Sequence, residues 1–368
     1  GSKTRFRKSP IFDGIKEEIN YPAVLPYEKL ERVEVDPVQV MLSKYNLPEV
    51  EEPPGYSLSY LHVLAKLQPV VEPDGFLDVY EAVAGIPGMD ALDMNTSPGV
   101  PYVLYHQKKV DLIKVDHIEK CVYMAPMLYS NWILTIDNIG KGLGLNVTYA
   151  TFAKDELRPL NKVNESQTRA IEASPLHFTI AVRQYWGRVI AQLQSEPGWH
   201  TGIAVGMDPD SDWDPMVKAA LSFGDVGIDL DFSSFDASLS PFMIRRACAI
   251  LSTLSGLGQD QGEAISGSIA YSVRMLGNMV YSVRGCMPSG TPCTSLLNSI
   301  VNQMNIYYVL WRMYGTTLEL LHETFKVLCY GDDVLLVARR GQEITSDFGW
   351  RLQSEFKDLG MTVTGSDK

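Results

Sequence analysis

The chain has 368 residues, 45% of them hydrophobic, enough to bury a large core divided into subdomains. Its 44 acidic against 32 basic residues give a net charge of -12, which argues against a generic nucleic-acid binder; any polyanion must be held by basic groups local to a channel. No apolar run reaches membrane-spanning length, the start lacks a signal-peptide core, and the scattered Cys121, Cys248, Cys286, Cys293 and Cys329 fit free thiols in a reducing compartment rather than a zinc site.

Residues 1–55 mix charges with Pro10, Pro22, Pro26, Pro37, Pro48, Pro53 and Pro54, and predict an extended arm draped over another part of the fold, with disorder as the alternative. Leu58, Leu61, Leu64 and Leu67 recur at helical spacing within 57–67. Asn95-Thr96-Ser97-Pro98-Gly99-Val100-Pro101-Tyr102 is a rigid polar turn whose hydroxyls and backbone N–H groups also suit phosphate. Residues 154–188 space Lys154, Arg158, Lys162, Arg169, Arg183 and Arg188 among Asp155, Glu156, Glu165 and Glu172. That segment reads either as a basic finger for triphosphates, its acids pairing backwards to hold the arginines, or as a salt-bridged surface hairpin.

Alternation in Asp225-Val226-Gly227-Ile228-Asp229-Leu230-Asp231-Phe232 predicts a strand with Asp231 at its end and Asp236 in the turn beyond, before a helix through Met243, Ile244 and Ala247. Repeated aspartates in a strand are disfavoured and want a reason. A strand over Met279–Val283 leads into Gly285-Cys286-Met287-Pro288-Ser289-Gly290-Thr291-Pro292, a loop able to shift against a ligand. A helix from Cys293 to Tyr314 follows, apolar on one side, with Asn298 and Asn302 as polar interruptions; Asn298 reads as a ligand-facing amide, a surface residue or an amide bonded to backbone. Next, Lys326-Val327-Leu328 and Val334-Leu335-Leu336-Val337-Ala338 flank Cys329-Tyr330-Gly331-Asp332-Asp333, which predicts a β-hairpin with Asp332 and Asp333 at its tip. Adjacent carboxylates there are either a solvated turn or a seat for a divalent cation. Phe348, Leu352, Phe356 and Leu359 give a last amphipathic helix, and Met361–Thr364 a last strand.

In combination and in order, these stretches resemble the motifs of picornavirus-type RNA-dependent RNA polymerases, most closely the hepatovirus branch and its relatives. LDFSSFDASLSP resembles motif A, GCMPSGTPCTSLLNS motif B, CYGDD motif C, TVTGSDK the end of motif D, KDELRPLNKVNESQTRAIEAS motif F and TSPGVPY motif G. The resemblance covers essentially the whole chain and implies an α+β right-hand polymerase fold, its antiparallel palm sheet backed by helices. It further implies fingers in residues 1–187, palm in 188–267, a fingers insertion at 268–285 and palm again in 286–368. The chain stops at motif D, so the thumb is expected to be missing from it, and with it much of the affinity for RNA.

The resemblance also implies roles. Asp231, Asp332 and Asp333 would be the catalytic metal ligands, for Mg²⁺ with Mn²⁺ able to substitute. Asp236 and Asn298 would read the ribose 2′-hydroxyl, with Ser289 and Thr294 in support; an acid and an amide suit a group that both donates and accepts. Lys154, Arg158, Lys162 and Arg169 would hold the triphosphate. Thr96, Ser97, Gly99, Ser289 and Gly290 would contact template, and Lys368 would act as general acid on the leaving pyrophosphate. The implied partners are RNA template and primer, ribonucleoside triphosphates, a protein primer and other viral replication proteins, at membrane-associated replication complexes in host cytoplasm. The alternative is a catalytically compromised RNA-binding fragment; a reverse transcriptase is disfavoured by Asp236 and Asn298.

Overall fold

A computed structural model describes residues 5–6, 20–23, 37–72 and 74–364. In chain order its elements begin with β1 (Tyr21–Pro22), α1 (Pro37–Ser43) and α2 (Tyr56–Leu67), then β2 (Ile113–Asp116), β3 (Cys121–Met124) and α3 (Pro126–Gly140). There follow β4 (Thr148–Ala153), β5 (Leu157–Arg158), β6 (Ala170–Ala173), α4 (Leu176–Ser195), β7 (Val226–Phe232), α5 (Pro241–Leu254) and α6 (Gln259–Ala270). The last are β8 (Tyr271–Leu276), β9 (Met279–Arg284), α7 (Thr294–Tyr314), β10 (Phe325–Tyr330), β11 (Asp333–Ala338), α8 (Phe348–Asp358) and β12 (Val363–Thr364).

Two four-stranded sheets organise these elements. The first has the order β10-β11-β7-β12 and is antiparallel throughout. Its hairpin strands bury Val327, Leu328, Cys329, Val334, Leu336 and Val337, so the β-branched and aliphatic runs that predict the hairpin are also its packing face. The second sheet, β6-β4-β8-β9, is antiparallel except for the β4–β8 pair. A parallel bridge from Ala173 to Gly290 ties the second sheet to the loop that precedes α7 (Thr294–Tyr314).

Helix α7 backs the first sheet and packs on α2, α5, α8 and β10. The one-sided apolar pattern expected for it is corrected: every residue from Leu296 to Leu310 is buried, including Asn298, Ser299, Asn302, Gln303 and Asn305. A helix enclosed on all sides must find internal partners for its polar groups, and it finds them in the site. The predicted arm is seen in part: β1 pairs with β5, Tyr21 opposite Arg158. Much of the rest of that arm lies outside the described residues, as does Lys368.

Candidate active site

Strand β7 alternates burial in its last residues: Leu230 and Phe232 face the core, while Asp229 and Asp231 are exposed. Leu230 pairs with Val334, and one step further the same register sets Asp231 level with Asp333. On the other edge Thr364 pairs with Asp231, and its hydroxyl lies 3.2 Å from the carboxylate Oδ2, which accepts its hydrogen bond. The hairpin tip is tighter than expected. Tyr330 pairs with Asp333, so only Gly331 and Asp332 form the turn, and Asp333 opens β11 instead of sharing the tip. Gly331 supplies the positive φ of 62° that a two-residue turn needs. Burial, with the charges of Asp332 and Asp231, holds the Asp333 carboxyl above the ordinary aspartate value. That influence on Asp333 places the three acids in one electrostatic neighbourhood.

Two residues that carry no role in the sequence reading fix this turn. The Gly331 N–H donates to Ser299 Oγ at 2.8 Å, and Asn302 Nδ2 donates to the Gly331 carbonyl at 2.7 Å. Helix α7 thereby grips both backbone polar groups of Gly331 without drawing on the carboxylates. The sequence signal was present in Asn298, Ser299 and Asn302, which fall on one helical face within an apolar run.

Asn298 Nδ2 donates to Asp236 Oδ1 at 2.7 Å, so the surface alternative for Asn298 is excluded. Burial pushes the Asp236 carboxyl up, and the Asn298 amide partly offsets this. The Asn298 carbonyl oxygen is buried with no hydrogen-bond partner among the described residues. An acid acceptor beside an unused amide oxygen is a seat for a group that donates. Ser289 and Thr294 act at one remove. Thr294 Oγ1 donates to the carbonyls of Ser289 at 3.2 Å and Thr291 at 2.6 Å, which ties the motif B loop to the first turn of α7. Ser289 itself is bonded to Glu172. Gly290 has no room for a side chain, because a Cβ would lie 2.0 Å from the Glu172 carbonyl oxygen.

The basic segment divides, and both readings of it hold in part. Glu156 gathers three cations: Arg169 through a two-pronged pair, Lys154 at 3.4 Å and Arg158 at 3.9 Å. Arg169 is held in its charged form first by Glu156, and the charge of Asp332 on the hairpin acts in the same direction. Lys162 is exposed on a short helical turn, Leu160–Asn164. Arg183 and Arg188 belong elsewhere: Arg183 Nε donates to the Ala82 carbonyl at 2.6 Å, and Arg188 pairs with Asp74 and Glu81. Of the acids expected to pair backwards, Glu156 does so, whereas Glu172 pairs with Arg274 of β8.

In the motif G loop, Thr96 Oγ1 donates to the Asp93 carbonyl at 3.0 Å and accepts from Lys109. The Gly99 N–H donates to Ser97 Oγ at 3.2 Å, and the loop is tied to α4 by Leu176 N–H on the Pro98 carbonyl. Thr96 is exposed, whereas Gly99 is buried against the Ser174 carbonyl and Pro175, so its part is to shape the loop.

Among the described residues no three His, Cys, Asp or Glu side chains already close around one point as a ligand shell. The donor set nevertheless fits a divalent cation: three exposed carboxylates supply hard oxygens, and their mutual repulsion is the imbalance that a cation relieves. Among the same residues no helix is long and apolar enough to cross a membrane.

A family model described as viral RNA-dependent RNA polymerase matches residues 18–368. The genome polyprotein of simian hepatitis A virus genotype V (isolate AGM-27) is 48% identical over 371 residues, covering 100% of this chain and 16% of the polyprotein. That of human hepatitis A virus genotype IA (isolate H2) is 49% identical over 374 residues, with the same coverage. The chain thus spans under a fifth of these polyproteins. Among solved structures, the sicinivirus 3Dpol RNA-dependent RNA polymerase is similar with a TM-score of 0.82 and 28% sequence identity, over 100% of this chain and 74% of that one. The hairpin, the sheet that carries it and the helix that grips it therefore form part of a right-hand polymerase fold, and the chain belongs to the viral RNA-dependent RNA polymerase family.

Proposed function

We propose that this protein adds ribonucleotides to RNA under the direction of an RNA template, in the replication of a positive-strand RNA virus genome. The observation that carries the reading is the Asp236–Asn298 pair, at 2.7 Å, within the electrostatic reach of Asp332. A ribose reader beside a cation seat is what templated synthesis of RNA requires. Polymerases of this family use divalent metal ions. Magnesium, with manganese able to substitute, would be held by Asp231 and Asp332 with Asp333 beside them, and when bound supplies charge neutralisation at the triphosphate and activation of the attacking 3′-oxygen.

The residues present do the rest. Asp236 accepts from the incoming 2′-hydroxyl, and the unpartnered Asn298 carbonyl oxygen is a second acceptor close by. Arg169 and Lys154, with Arg158 and Lys162, steady the triphosphate; Glu156 holds three of them in place. Thr96, Ser97 and Gly99, with Ser289 and Gly290, shape the path of the template. In this reading residues 1–187 and 268–285 form fingers, and 188–267 with 286–368 form palm. The β8–β9 pair from the 268–285 region joins β4 and β6 in one sheet, which supports that division. Uridylylation of a protein primer, contact with other replication proteins and residence at membrane-associated replication complexes in host cytoplasm follow from the same reading.

The test is single-nucleotide extension of a primed RNA template with ribo- and deoxyribonucleoside triphosphates, with magnesium and then with chelator. Extension that prefers ribonucleotides and stops on chelation is expected. RNA binding without extension would favour the catalytically compromised fragment instead.

A further inference from the structure

Glu172 lies at the end of β6, outside the acidic trio and the ribose-reading pair, and it is the most fully engaged carboxylate near them. Its side chain is 2% exposed and pairs at 3.0 Å with Arg274, which is 0% exposed. Arg274 is fixed in turn by Ser272 Oγ at 2.9 Å and by the Cys286 carbonyl, and it lies 4.7 Å from the ring centre of Tyr45. The Tyr45 hydroxyl donates to the same carboxylate oxygen, Oε1, that Arg274 takes. The other oxygen, Oε2, accepts from Ser289 twice, from the hydroxyl at 2.9 Å and from the backbone N–H at 3.1 Å. The Glu172 N–H closes the loop by donating to Ser289 Oγ at 3.0 Å. Despite its burial, Arg274 leads the influences that hold the Glu172 carboxyl below the ordinary glutamate value, so it is present as the anion.

These bonds end at the ribose-reading pair. The loop that Ser289 belongs to hydrogen-bonds back to the motif A turn, Met287 N–H to the Asp236 carbonyl at 2.9 Å and Cys286 N–H to the Leu239 carbonyl at 2.7 Å. Its other end is tied by Thr294 to the helix turn that precedes Asn298. The position of Ser289 thus sets where the loop stands between Asp236 and Asn298, and Glu172 sets the position of Ser289.

We infer that Glu172 is a positioning residue for sugar selection: its carboxylate, oriented by Arg274 and Tyr45, anchors Ser289 and thereby holds Asp236 and Asn298 at the spacing that favours a 2′-hydroxyl. The inference rests on the proposed polymerase activity for its substrate. A buried charge with four donors on two oxygens is costly to assemble, and that cost is returned as a fixed loop geometry.

The test compares the parent protein with Glu172→Gln, which keeps the shape and removes the charge, and with Tyr45→Phe, which keeps the Arg274 pair and removes one donor. Hydrogen exchange is measured over residues 286–293 without nucleotide, and kcat and KM for ribo- and deoxyribonucleotide addition are measured separately. Faster exchange at the loop is expected, with the ribose preference falling by about fivefold or more in Glu172→Gln through a raised KM for ribonucleotides, and a smaller change of the same kind in Tyr45→Phe. Unchanged loop exchange, or equal losses for both sugars carried in kcat, would overturn the inference. If Glu172→Gln does not fold, Tyr45→Phe alone decides, an unchanged loop and sugar preference counting against. A parent protein that adds no nucleotide would overturn the proposed function, while the exchange measurement still decides whether Glu172 anchors the loop.

Discussion

The hairpin sheet leaves Asp231, Asp332 and Asp333 exposed and within range of one another's charge, whereas the adjoining sheet buries Glu172 against Arg274 with hydrogen bonds on both carboxylate oxygens. The backbone geometry under the first is as well secured as that under the second, since Ser299 and Asn302 hold both polar groups of the Gly331 turn. The difference lies in where compensation stops. In one place the fold satisfies the backbone and leaves the side chains for a ligand; in the other it satisfies the side chain and uses it to hold a loop. Unbalanced charge marks where chemistry is done, and balanced buried charge marks what holds the chemistry in place.

Four measurements sharpen or break this contrast. Removing one partner of the buried pair should cost most. Arg274→Met leaves Glu172 unpaired and is expected to lower stability by about 3–5 kcal/mol in urea denaturation; a loss within about 0.5 kcal/mol would mean that the pair is incidental. Asp332→Asn should show the opposite profile, nucleotide addition falling more than about 100-fold while the urea midpoint stays put. Retained extension by that variant would remove Asp332 from the cation seat. Asn298→Ala should reduce the ribo-to-deoxyribonucleotide preference by about tenfold, the effect of a lost hydrogen bond to a buried acid. Equal decline for both sugars would assign Asn298 to the loop alone.

The smallest effect concerns pH. The Asp333 carboxyl is raised, first by burial and then by its neighbours' charges, so its ionisation works against the fold. That penalty is present above its folded value and gone below the ordinary 3.8. Glu172 has the reverse sign: its folded value lies below the ordinary 4.5, so its contribution is full above 4.5 and is lost as pH falls through the folded value. Thermal melts of Asp333→Asn should therefore show a gain of a few tenths of a kcal/mol at neutral pH that vanishes in acid. A gain that instead grows towards low pH would reverse the sign assigned to Asp333.

The contrast also explains what the sequence disclosed. Strand β7, the hairpin and α7 were legible because their periodicity and their turn glycine are local properties. The acidic trio was legible because aspartates in a strand and at a turn break the local rule. Glu172 was misassigned to the arginines of its own segment, since its partner lies 102 residues away on a strand whose buried face is Ser272 and Arg274. No periodicity announces an arginine that points inward. Asn302 stood out as an interruption, yet its role depends on which turn the tertiary fold brings against it. The tip differed by one residue because register, not composition, decides where a turn closes.

The seam between β1 and β5 carries a consequence for the order of assembly. It consists of two paired residues, with Ala23 N–H on the Glu156 carbonyl at 2.9 Å and Thr168 Oγ1 on the Ala23 carbonyl at 2.8 Å, the latter joining residues 145 apart in sequence. Closing so long a segment costs entropy that a few bonds return only once the intervening chain is folded. The seam should therefore form last and open first, at a lower free energy than the core sheets. What it clasps is the stretch from Glu156 to Arg158. The strand beside Lys154, Arg158 and Arg169 is thus a part of the molecule that can loosen without melting the core sheets, a latch rather than a wall.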